Sequence, residues 1–61
     1  MNTISEKELS ALNDLLADEE LLIKKFQMLA DHSQDKEIRE KFMGIASKHQ
    51  GHFKELYSQL G

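Results

Sequence analysis

The chain has 61 residues, 8 Lys+Arg against 11 Asp+Glu for a formal charge of −3, and no Cys, Pro or Trp. Without cysteine there is no disulfide scaffold, zinc ribbon or thiol catalysis, and the mildly acidic balance argues against a nucleic-acid binder, which carries a basic face. With Leu21-Leu22-Ile23 as the longest apolar run, no segment reads as a membrane span or a signal peptide; the expectation is one small soluble intracellular domain, 1–61, near the lower size limit for folding alone.

The first helix has a local start signal. Ser5 and Glu8 have the S-x-x-E spacing of a capping box, and Ile4 and Leu9 bracket it as a hydrophobic staple. Apolar residues then recur at Leu9, Leu12, Leu16, Ile23, Phe26 and Ala30, the alternation by three and four of a bundle helix. A flanking row, Leu15, Leu22 and Leu29, makes this stripe wide enough to touch two neighbours. The pattern stops near His32, so the first helix is predicted over 5–32.

Asp31-His32-Ser33-Gln34-Asp35 contains no apolar residue and reads as the turn, with Asp35 as N-cap of the second helix and Glu37 supporting its dipole. The second stripe runs through Ile38, Phe42, Ile45, positions 49 and 52, and Leu56. Ala46, Phe53 and Leu60 widen it, and this helix is predicted over 36–60. A short loop makes the helices antiparallel neighbours. Two helices alone cannot cover two wide apolar stripes, so the predicted fold is all-α: an antiparallel hairpin that dimerises into a four-helix bundle.

Three polar residues interrupt the stripes: Glu19 on the first helix, His49 and His52 on the second. Equal rise on both helices about a turn near Ser33/Gln34 pairs positions whose numbers sum to roughly 68. Phe26 then faces Phe42, Ile23 faces Ile45, and Glu19 falls opposite His49 with His52 one turn further on. An unpaired carboxylate in an apolar core costs several kcal/mol. A carboxylate and two imidazoles converging between helices are the ligand types that hold zinc, iron or manganese. The rival reading is a metal-free polar layer that fixes bundle register.

Lesser candidates have simpler roles. His32 suits the C-terminal end of the first helix dipole, Glu20 is a flank residue, solvated or able to swing inward, and Glu55 is an ordinary surface charge or else an acceptor that orients His52. Tyr57 falls on the outer face. Gly44 with Gly51, and Leu21 with Met28, are pairs seven apart on the outer sides, and such a row offers a surface for a further helix. No nucleophile–base pair or Gly-rich phosphate loop is present, so an enzyme is not expected.

The segments Leu12-Asn13-Asp14-Leu15-Leu16-Ala17-Asp18-Glu19, Leu22-Ile23-Lys24-Lys25-Phe26 and Ile45-Ala46-Ser47-Lys48-His49-Gln50-Gly51-His52-Phe53 resemble the small clostridial relatives of spore coat protein F. The resemblance extends over nearly the whole chain. It implies a ferritin-like, rubrerythrin-related helical hairpin, a Gram-positive spore-forming host, and a place in the cytoplasm, spore or spore coat beside other coat proteins. Ferritin-like di-iron sites take a Glu from one helix and E-x-x-H from the next. By that resemblance Glu19 is the lone glutamate and His52 the final imidazole, while His49 stands where the motif has its second glutamate. This departure lowers the negative charge of the site and points to zinc or a mononuclear metal, or to a vestigial site, rather than a bridged di-ferric centre.

Overall fold

A computed structural model describes residues 4–61, so positions 1–3 of the expected 1–61 domain lie outside the described residues. Two helices account for nearly all of it: α1, Glu6–His32, and α2, Lys36–Ser58, packed against each other as a hairpin. Among the described residues, no helix is long and apolar enough to cross a membrane.

The start of α1 is the capping box expected from the sequence. The Glu8 amide donates to Ser5 Oγ at 3.1 Å, and the Ser5 amide donates back to Glu8 Oε1 at 3.2 Å. Two amides that the first turn leaves without helical partners are thereby satisfied. The staple is looser than the spacing suggested. Ile4 lines a cleft with Ala11, Leu12 and Leu15, whereas Leu9 stands outside that cleft and is exposed.

The turn is three residues long. The Ser33 amide donates to the Ala30 carbonyl, and the Ile38 amide donates to Asp35 Oδ1 at 3.0 Å, which makes Asp35 the N-cap of α2. The Arg39 guanidinium reaches back to the Ser33 carbonyl through Nε and Nη2, at 3.4 and 3.3 Å. The start of α2 is thus tied to the turn on two sides. At its far end, α2 stops two residues short of the predicted boundary. There the Gln59 and Leu60 amides bond back to the carbonyls of Leu56 and Tyr57, three residues earlier, so the last turn tightens and leaves the α-helical ladder.

Between the helices, Leu12, Leu16, Ala30 and Ala46 are buried, and Phe26 meets Phe42 with ring centroids 6.1 Å apart, as the register arithmetic expected. Small alanines on either side of the aromatic level, Ala30 nearer the turn and Ala46 beyond it, are almost fully buried where the helices face each other. Ridge-and-groove packing of this kind secures one seam only. Leu15, Leu21, Met28, Leu29, Ile38 and Met43 all remain exposed. The hairpin is 46 × 17 × 10 Å with a Cα radius of gyration of 14.4 Å, where a compact chain of this length has about 10.5 Å.

Candidate metal centre

Midway along the hairpin the apolar seam gives way to Glu19. Its position, seven residues before Phe26 and seven after Leu12, puts it on the face of α1 that meets α2. It is the one buried charged residue among those described. Its carboxylate is met from α2 by both expected histidines. His49 Nδ1–H donates to Glu19 Oε1 at 2.6 Å, and His52 Nδ1 lies 3.3 Å from Oε2. The short distance to His49 is that of a charge-assisted hydrogen bond. Oε1 is bonded to His49 alone, whereas Oε2 lies 3.3 Å from His52 Nδ1 and 3.4 Å from His49 Nδ1, because residues three apart on α2 project side by side.

The two histidines differ in their surroundings. His49 retains 21% side-chain exposure and Glu19 12%, whereas His52 retains 58%. The sequence placed all three in a water-poor core. The single hairpin encloses two of them and leaves the third at the mouth of a groove. The reason is geometric: His52 lies on the edge of the α2 stripe, and α1 covers the centre of that stripe but not its flank. The His49 ring stacks on Phe26 with centroids 5.8 Å apart and planes 14° from parallel, and meets the His52 ring edge-on at 5.5 Å. Phe26 thus holds the imidazole plane that presents Nδ1 to the carboxylate. The apolar stripe marks Phe26 as a core residue, and only its seven-residue spacing from Glu19 signals this positioning contact.

One ligand atom from each of Glu19, His49 and His52 can be chosen so that all lie within 4.8 Å of one another, so the group could hold a metal ion. A tetrahedral zinc with ligands at about 2.1 Å sets its donors about 3.4 Å apart. Closing the group around an ion therefore requires only a small inward movement, and the exposed His52 has room to make it. Two nitrogens and one oxygen suit zinc, iron or manganese rather than magnesium or calcium, which favour all-oxygen shells.

The other candidates resolve plainly. Glu20 pairs with Lys24 at 3.1 Å on the surface and does not turn inward. His32 Nδ1–H donates to the Met28 carbonyl at 2.9 Å, satisfying the end of α1. Glu55 lines the groove beside His52, but no hydrogen bond joins them. Asp18, which the sequence reading did not single out, lines the same groove. Tyr57 is exposed and stacks on Phe53. A Cβ added at Gly44 or Gly51 would meet nothing within 4 Å, so neither glycine serves a close approach within the hairpin.

Comparison with known proteins finds no match to the chain among protein-family models, curated proteins or solved structures.

Proposed function

We propose that this chain is a self-associating helical hairpin that holds a transition metal through Glu19, His49 and His52, in a metal-holding or modest redox role. The observation that carries this reading is the buried Glu19 carboxylate with an imidazole nitrogen on each oxygen. An all-leucine seam would close the hairpin without desolvating a carboxylate, so a reason is needed for three convergent metal-type ligands, and coordination supplies one. Self-association into a four-helix bundle is supported by the apolar residues that one hairpin leaves in water. The ferritin-like, spore-coat setting rests on the resemblance of the three segments alone.

The test is metal analysis of untagged protein purified without chelator and then offered zinc, iron(II) or manganese in turn. The expected result is about one ion per chain or per pair of chains, lost in the double variant His49→Ala/His52→Ala. Negligible occupancy with all three metals overturns the reading. In that case the contact between Glu19 and His49, stacked on Phe26, favours the second reading: a metal-free structural or interaction component in which the polar pair fixes register. Replacing Glu19, His49 and His52 together by Leu would then leave stability unchanged or raised.

A further inference from the structure

The exposed ligand, His52, does not face open solvent at random. It stands in a groove of about 400 Å³ whose apolar walls are Leu15, Leu22 and Leu56, with Asp18 and Glu55 at its rim. Leu15 is shared with a second cleft further along, so the two run together down one side of the hairpin. On α1 that side is the row Leu15, Leu22 and Leu29, seven residues apart, with Leu15 and Leu29 exposed. The metal group and the unpartnered apolar side are therefore one continuous surface.

We propose that a second copy of this chain seats on this side, and that metal binding and dimerisation are coupled there: the ion strengthens the dimer and the dimer strengthens the ion. This rests on the metal-holding reading above and adds its partner and its regulation.

The area supports a second copy. The hairpin exposes 5036 Å², whereas a compact protein of this mass exposes about 4,000 Å². The excess, roughly 1,000 Å², compares with the approximately 800 Å² that each partner contributes to a standard interface. A self-complementary apolar side on a two-element hairpin also fits the isologous contact of a two-fold dimer.

The coupling follows from solvation. Covering the groove removes water from His52 and from the outer oxygen of Glu19. Buried polar groups without full partners oppose such a closure. A bound ion satisfies both groups at once, so the same closure meets less resistance with metal than without. One hairpin offers three ligands, so a tetrahedral ion would keep a fourth position, which a second copy seated over the groove would shield from bulk water. By thermodynamic reciprocity, whatever factor the dimer adds to metal affinity, the metal adds to dimer affinity.

Sedimentation equilibrium of the untagged chain, with either saturating zinc or EDTA, reads the coupling directly, with zinc content measured on the same samples. The expected result is self-association about tenfold or more tighter with zinc. Leu15→Glu with Leu29→Glu should remain helical, stay monomeric and, by the same reciprocity, bind zinc about tenfold or more weakly than the wild type. Leu21→Glu with Met28→Glu, the same charge change about 100° further round α1 on the face turned away from α2, should dimerise like the wild type. His32→Gln should leave the zinc effect unchanged, since His32 lies outside the group. If zinc binds one per chain and self-association does not tighten, the coupling is overturned while the metal reading stands. If the Leu15/Leu29 variant still dimerises, the assignment of the surface is overturned; if His32→Gln abolishes the effect, the zinc that couples to the dimer is not the one held by Glu19, His49 and His52, and the coupling through this group is overturned. If no zinc binds and iron(II) and manganese are refused as well, the metal reading itself fails and this inference falls with it; if only zinc is refused, the same comparison made with the metal that does bind decides the coupling.

Discussion

Glu19 and its two histidines show how position within one group sets the consequence of a substitution. His49 gives the buried carboxylate its short hydrogen bond and lies against Phe26. His52 makes a longer contact from an exposed position. Removing His49 leaves a buried acceptor short of its main donor, a loss of about 1–3 kcal/mol. Removing His52 takes away a longer contact from an exposed side chain, worth about 0–1 kcal/mol. In chelator, His49→Ala should therefore lower the urea midpoint clearly and His52→Ala hardly at all. With zinc present both variants should lack the rise in midpoint that the wild type gains, since each removes one ligand, and the difference between them should persist. A chelator series in which both variants lose equal stability would contradict this asymmetry. The convergence of the three residues was legible in the sequence, because helical rise and an antiparallel turn fix which levels coincide. The exposure of His52 was not, since a stripe assignment gives the face of a residue but not how far the neighbouring helix reaches across it.

At the scale of the element, both helix starts were written locally and both formed as written. Ser5 with Glu8, and Asp35 with the Ile38 amide, satisfy groups that the helix itself cannot. The Ser5 box also has an acid–base signature. Hydrogen bonding from the Ser5 side chain, and then from its backbone amide, holds the Glu8 carboxyl below its ordinary value of 4.5. A carboxyl whose pKa is depressed by folding adds stability that is present above the unfolded-state value and is lost as pH falls through the folded-state value. Ser5→Ala should therefore be least stable relative to wild type at neutral pH, with the gap narrowing below pH 4.5. It should not vanish, because the bond from the Glu8 amide to Ser5 Oγ is independent of that titration. Urea midpoints measured at several pH values check it; a gap that widens in acid would contradict the linkage. The far end of α2 was harder to read. Leu60 continues the apolar spacing, but the helix tightens at Gln59, where a backbone choice between bonds three and four residues back leaves little trace in side-chain pattern.

For the whole molecule, the arrangement of ties along the hairpin matters more than their number. The Arg39 and Asp35 bonds secure the turn, and the Glu19–His49 contact, thirty residues apart in sequence, secures the middle. The stretch between them contains Phe26 against Phe42 and the buried Ala30 and Ala46. It is closed at both limits, like a loop of cord knotted twice. Beyond Glu19, toward Leu9 on one helix and Leu60 on the other, packing continues through Leu12 and Leu16, but no further polar contact joins α1 to α2 among the described residues. Opening can therefore proceed like a zipper from that pole as far as the carboxylate without disturbing the knotted half, a local excursion of lower free energy than global unfolding. Amide hydrogen exchange should register this as two kinetic classes: slow exchange for 22–30 and 42–46, faster for 9–15 and 53–58. Severing the middle knot with His49→Ala should merge the classes by accelerating the slow one, so that a single side chain determines whether the hairpin breathes in halves or as one piece.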